Sequence, residues 1–456
     1  MTCGIPVSAK SESYTRMSLI ELSATEALVK IRSGEITSEE LVKAYLDRID
    51  QVEGEVQAWA HLDPEHALEQ ARSLDAHRQA GGATGPLHGI PVGVKDIFDT
   101  KFIPTENGTV LDSGRLPKED CRVISLLKEA GAVIIGKTVS TELAVTGPGK
   151  TRNPHNPAHT PGGSSSGSTA AVAAYMVPLA IGTQTNGSVI RPASFCGIIG
   201  FKPTHGLIPR NGVLHLSSSL DSVGTFGRTL EDIALLTECL VAHDPADPYT
   251  RARARPALRE VLVTEPPFTP VVGFAKTAVW DQADEATQEA FGELVDILGD
   301  DCHDLPLSEP FDHVLDMHRN IMSADLAKNL ARYFDRGKDQ LTAPLREAIE
   351  YGHTVLAVDY NTAIEGRDLL NSGLDSCFDH YDIIITPAAP GEAPKGLEST
   401  GNAAFNTLAS FCGTPAITLP LMDGPNGLPV GVQVIGPRGD DARLLRNAHW
   451  LMQRVS

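Results

Sequence analysis

Two glycine- and serine-rich segments carry the residues best suited to nucleophilic chemistry. The first is Pro161-Gly-Gly-Ser164-Ser165-Ser166-Gly167-Ser168. The second is Gly182-Thr-Gln184-Thr185-Asn186-Gly187-Ser188, which runs into Val189-Ile190-Arg191-Pro-Ala-Ser-Phe-Cys-Gly197. A strand that ends in Thr-Asn-Gly-Ser ahead of a helix exposes several adjacent backbone N–H groups, and such a nest binds an oxyanion. A hydroxyl at its last position is well placed to attack a carbonyl. A serine nucleophile also needs a base, usually histidine. Neither segment holds one, so any histidine must come from a distance, as His205 would. The other candidate is Lys95, in Gly93-Val94-Lys95-Asp96, which follows an apolar run where burial lowers an amine's pKa toward neutrality. The plainer alternative makes both segments flexible loops and Lys95 a surface charge.

Several literal motif matches carry less. Gly131-Ala-Val-Ile-Ile-Gly136-Lys137-Thr138 fits the phosphate-loop pattern, but residues 132–135 are strand formers and a helical segment precedes them. Gly163-Ser-Ser165-Ser-Gly167 fits the nucleophile elbow, yet the preceding Asn153-Pro-His-Asn-Pro-Ala-His-Thr-Pro161 is unsuited to the central strand an elbow requires. Ser125-Leu-Leu-Lys128 lacks the partner motifs of its class and reads as an exposed helical lysine. His155 and His159 are four apart, but Pro154 and Pro157 break the helix that would align them as metal ligands.

The elements that must position the serines follow from periodicity. Thr37 stands three before Glu40, a capping-box spacing, and Leu41, Tyr45 and Ile49 continue as an apolar stripe. A second helix is expected around residues 64–80, ending at Gly81-Gly82. From Gly89 the texture alternates: strands at 90–94, 132–135, 179–181 and 198–201, helices at 123–129 and 170–175. Residues 311–370 are charged, helical and poor in glycine, and β texture returns at 383–386, 416–419 and 430–435. The pattern predicts an α/β fold with a large mixed central β-sheet flanked by helices on both faces. We read residues 1–456 as a single domain: N-terminal helices over 1–82, an α/β core over 83–310 and 379–456, and a helical excursion over 311–378 near the substrate pocket.

The 456 residues carry a net charge of −20, from 58 acidic against 38 basic residues. Such a surface repels phosphate backbones and anionic membranes, which disfavours nucleic-acid and membrane partners. Seven scattered cysteines without a CxxC pair point to reduced, mostly buried thiols. Residues 1–22 contain no signal-peptide-like apolar run, and no stretch reaches the roughly 18 apolar residues of a membrane helix. A soluble cytoplasmic protein is expected. The sequence is compatible with a homo-oligomer.

Taken in order, these segments resemble the amidase signature family over nearly the whole chain. The resemblance rests on the Gly162-Gly-Ser-Ser165 core, Pro178-Leu-Ala-Ile-Gly182, Gly187-Ser188, Phe195-Cys-Gly, Gly200-Phe-Lys-Pro-Thr204 and His88-Gly-Ile-Pro-Val-Gly-Val-Lys95-Asp96. Ser219-Leu-Asp-Ser-Val-Gly224, Arg228-Thr229, Gly413-Thr-Pro-Ala416 and Gly427-Leu-Pro-Val-Gly-Val-Gln433 extend it. It implies Ser188 as acylating nucleophile, Ser164 as a bridging serine preceded by a cis peptide bond, and Lys95 as the neutral base. It also implies an oxyanion hole of the backbone N–H groups of Thr185, Asn186, Gly187 and Ser188, and no metal or organic cofactor. The expected reaction is hydrolysis of amide-type C–N bonds through an acyl-enzyme, with esters and carbamates (urethanes) as further small-molecule substrates. The alternative is the amidase subunit of a tRNA-dependent amidotransferase; a non-catalytic binder on the same fold is a third. The substrate pockets would be lined by variable segments near residues 98–107, 214–219 and 311–370. Four positions depart from the family pattern: Ser166 and Asn186 stand where glycine is usual, Gln184 where aspartate is usual, and Ile190 where arginine is usual, with Arg191 one place later.

Overall fold

The computed structural model describes residues 19–145, 147 and 149–455. The capping boxes form as spaced: Thr37 Oγ1 accepts from Glu40 N while the Glu40 carboxylate accepts from Thr37 N, opening the helix Ser38–Val56. Its neighbour Pro64–Gln79 begins with Asp63 as cap and proline in the first turn, where the missing N–H costs nothing.

The strands are β1 (Trp59–Leu62), β2 (Pro91–Lys95), β3 (Val133–Thr138), β4 (Leu179–Gln184), β5 (Ile199–Lys202), β6 (Ser222–Gly227), β7 (Val272–Phe274), β8 (Cys302–Asp304), β9 (Ile383–Pro387), β10 (Ala416–Asp423) and β11 (Pro429–Ile435). They join in one mixed sheet, ordered β1-β3-β2-β4-β6-β5-β10-β11-β9-β7-β8. β2 runs parallel to β3 and β4, and β4 antiparallel to β6. The period-2 alternation of a strand shows why both faces are covered. On β9, Ile383 and Ile385 pack with the helices Glu285–Leu298 and Asp441–Val455, whereas Ile384 joins residues of Val314–Asn329 and Ala357–Phe378.

Several elements run further than their apolar letters. β3 continues through Gly136, Lys137 and Thr138 because its backbone stays paired with β2 up to Lys95↔Thr138. The phosphate-loop match is therefore a buried strand: Lys137 Nζ donates to the Phe98 carbonyl (2.9 Å) and Thr105 Oγ1 (2.6 Å) and stands 3.3 Å from Asp96. The alanine-rich helix spans Ser166–Ala173, four residues earlier at its start than its apolar letters suggest. Gly167 permits this, since a Cβ there would stand 2.2 Å from the Ala58 carbonyl oxygen. The helix stops before Tyr175, whose φ of 58° is left-handed.

Between β8 and β9 the chain is helical, with Val314–Asn329, Ala331–Gly337, Ala343–Gly352 and Ala357–Phe378. Of the cysteines, Cys121, Cys196, Cys239, Cys302 and Cys412 are buried free thiols and Cys377 is half-buried; Cys3 lies outside the described residues. So does most of the 1–22 segment judged for a signal peptide. Among the described residues no helix is long and apolar enough to cross a membrane.

Candidate active site

Parallel pairing of β2 with β4 brings the two chemistry-bearing regions together. The register Val94↔Ile181 places Lys95, at the end of β2, beside the end of β4. Alternation then sends Lys95 and Asp96 to opposite sides. Asp96 goes to Lys137, while the fully buried Lys95 Nζ lies 2.8 Å from Ser164 Oγ and 3.0 Å from Thr183 Oγ1. Burial pushes the Lys95 amine down to about 7, opposed by the negative charge of Asp221. Ser164 is buried, and the Gly163–Ser164 peptide bond is cis. The Ser164 carbonyl oxygen accepts from Thr141 N at 3.1 Å.

Ser188 stands half-buried on the turn between β4 and the short helix Ile190–Phe195. That turn is tied to the Ser164 segment by Arg191. Its backbone N–H donates to the Gly187 carbonyl (3.0 Å), and its guanidinium donates to the Gly163 carbonyl and to Thr400 Oγ1 (3.2 Å). The guanidinium is fully buried, which pushes it down to about 10 and leaves it charged at neutral pH. Among the described residues, the backbone N–H groups of Asn186, Gly187 and Ser188 donate to no other protein group. The Thr185 N–H likewise has no protein acceptor among the described residues, so the turn presents four free donors beside a serine hydroxyl.

Each departure from the common pattern has a partner. Ser166 Oγ donates to the Gly162 carbonyl at 2.8 Å. Gln184 Oε1 accepts from Val189 N (2.8 Å) and Ile190 N (3.0 Å), satisfying N–H groups at the start of the helix Ile190–Phe195. Its Nε2 donates to Ser410 Oγ at 2.9 Å. Asn186 Oδ1 accepts from Thr407 Oγ1 at 2.9 Å. Ile190 packs in an apolar cluster with Ala409 and Phe411.

Other groups escaped the sequence reading. Thr183 is one, and its position on β4 beside Lys95 was its only signal. Asp221 is another: its carboxylate accepts from Thr185 Oγ1 (2.7 Å) and from the N–H groups of Leu216 and Ser217 (both 2.9 Å). His318, from the helical stretch, is buried with Nε2 3.1 Å from the Thr185 carbonyl. His205 does not meet the serines. Its Nε2 faces the Ser218 carbonyl and Arg210, and burial with the nearby cations pushes it down to about 3. His155 and His159 bind the backbone carbonyls of Cys196 and Ala393 instead of a shared ligand. Among the described residues no three His, Cys, Asp or Glu side chains gather as a metal site.

The family model for amidases matches residues 40–445. The chain belongs to the amidase signature family. It is 35% identical to a glutamyl-tRNA(Gln) amidotransferase subunit of Streptomyces coelicolor, over 94% of this chain and 95% of that protein. The corresponding subunit of Thermobifida fusca is 34% identical over 93% and 94%. Among solved structures, this chain resembles the native peptide amidase from Stenotrophomonas maltophilia (TM-score 0.84, 27% identity, 95% of this chain and 97% of that one). It also resembles 6-aminohexanoate cyclic dimer hydrolase (TM-score 0.83, 26% identity, 96% and 97%). These findings make the chain an amidase-family C–N hydrolase on the α/β fold its residues foretold.

Proposed function

We propose that this amidase is a one-domain cytoplasmic enzyme that hydrolyses small-molecule amides through a Ser188 acyl-enzyme, with esters and carbamates as further substrates. The observation that carries the reading is the buried Lys95 amine 2.8 Å from Ser164 Oγ, on a segment that Arg191 ties to the turn ending in Ser188. With Nζ neutral, Ser164 O–H donates to the amine lone pair and one amine N–H serves Thr183 Oγ1. Ser164 Oγ is then free to take the Ser188 proton as Ser188 attacks the carbonyl carbon. The tetrahedral oxyanion forms against the N–H groups of Thr185, Asn186, Gly187 and Ser188. The proton returns through Ser164 to the leaving amine, and water then releases the acid. The residues give no reason to invoke a metal or organic cofactor.

The test is hydrolysis of an aryl anilide by the purified protein. Ser188→Ala should abolish turnover while leaving the melting temperature in place; a variant that still turns over would refute the assignment of the nucleophile.

The amidotransferase relatives support a second reading, in which glutamine is the substrate and ammonia passes to a partner subunit. The net charge of −20 weighs against direct contact with tRNA by this chain. Glutaminase activity together with co-purification of a second subunit would replace the first reading with this one.

A further inference from the structure

The oxyanion turn is held from behind, and the residues that hold it come from far along the chain. In a trans peptide unit the C=O and N–H bonds point in opposite directions, so anchoring a carbonyl aims the N–H of the next residue. The carbonyls of the turn are anchored in succession. His318 Nε2 binds the Thr185 carbonyl at 3.1 Å, Ser410 Oγ donates to the Asn186 carbonyl, and Arg191 N donates to the Gly187 carbonyl at 3.0 Å. The three N–H groups aimed the opposite way are those of Asn186, Gly187 and Ser188, none of which donates to another protein group among the described residues.

The donors have a fixed polarity. Gln184 Oε1 already accepts from Val189 N and Ile190 N, so its amide turns Nε2 toward Ser410. Ser410 Oγ accepts that proton and is left with its own to give, which goes to the Asn186 carbonyl. His318 meets a carbonyl, which only accepts, so Nε2 carries the hydrogen. Burial pushes this histidine down to about 4 and keeps it in that neutral form at working pH.

We propose that His318 and Ser410 are positioning residues of the oxyanion turn, clamping the Thr185 and Asn186 carbonyls so that the Asn186 and Gly187 N–H groups face the reacting carbonyl. The proposal rests on the acyl-enzyme reading above and deepens it. It assigns a catalytic consequence to the helical stretch, which supplies His318, and to Gln184, whose amide makes Ser410 a donor where an aspartate would make it give its proton away from the turn.

The experiment compares wild type, Ser410→Ala, Ser410→Thr, His318→Leu, His318→Gln and Ser188→Ala on p-nitroacetanilide, with a trifluoromethyl ketone as tetrahedral-adduct inhibitor. Removing a single oxyanion donor costs about 100- to 1,000-fold in kcat, so loosening one is expected to cost about 10- to 100-fold. Ser410→Ala and His318→Leu should show that loss in kcat with little change in KM, and an equal loss of inhibitor affinity. The midpoint of the pH profile should stay where wild type has it, because Lys95 is untouched. Ser410→Thr and His318→Gln retain a donor and should recover most of the rate. Folded Ser410→Ala and His318→Leu proteins with wild-type kcat, or a loss confined to KM, would overturn the proposal while leaving the Ser188 reading intact. Loss of rate in the donor-retaining variants alongside a lowered melting temperature would also overturn it, in favour of a purely structural role. Undiminished turnover by Ser188→Ala would remove the underlying reading itself.

Discussion

The pH dependence of turnover tests the base assignment most directly. Lys95 is fully buried, and burial brings its amine from an ordinary 10.5 to about 7. The difference, 10.5 − 7 = 3.5, corresponds to about 5 kcal/mol of penalty on the charged form. The relay needs the neutral amine, so the sign is clear: activity is lost as pH falls through the folded-state pKa and is complete above it. At about pH 8 roughly nine in ten molecules carry the neutral amine, whereas an unshifted lysine would leave about one in 300. The assay is kcat/KM for an unchanging anilide from about pH 5 to about pH 9.5, since that ratio reports ionisation of the free enzyme. The profile should rise with unit slope, bend near pH 7 and then lie flat. Lys95→Arg, permanently charged, should fall to the level of the Ser188→Ala control. A profile already flat below pH 6, or one still rising at pH 9, would refute the reasoning, because neither fits an amine at about 7.

Three further outcomes follow from individual contacts. The Asp221 charge holds the Lys95 amine up, so Asp221→Asn should move the midpoint of the same profile downward, below wild type; an upward shift would contradict the assignment. A Cβ at Gly187 would stand 2.4 Å from Asn406 Oδ1 and 2.8 Å from the Ala403 Cβ. Gly187→Ala must therefore displace the oxyanion turn, and a shift on the order of 1 Å should lower kcat about 100-fold in a protein that circular dichroism still reports as folded. Lys137→Met should cost about 3–5 kcal/mol in denaturant unfolding because it strands the buried Asp96 carboxylate, while ATP has no effect on the melting temperature of wild type.

Whatever depended on short-range pattern was legible in the residues. The Thr37–Glu40 cap and the strand nature of the Gly131–Thr138 match follow from spacing and residue type, whereas the meeting of Lys95 with Ser164, 69 residues away, was implied only by the family resemblance. What was not legible are contacts made across long stretches of chain. His318 lies 133 residues from Thr185, and Ser410 lies 224 from Asn186. No local signal separates His318 from the other histidines, and His205, which directly follows the Gly200–Thr204 family segment, turns to the Ser218 carbonyl instead. The departures show the same limit from the other side. Gln184 and Asn186 read in isolation as losses from a common pattern, since each replaces a residue the turn ordinarily uses. In the folded chain Gln184 joins the helix Ile190–Phe195 to Ser410, and Asn186 takes the Thr407 hydroxyl. Both partners sit on the helix Thr407–Cys412, so the substitutions make sense only as a set. A replacement at 184 is therefore to be judged by which way it leaves the Ser410 proton pointing, a property no single position carries.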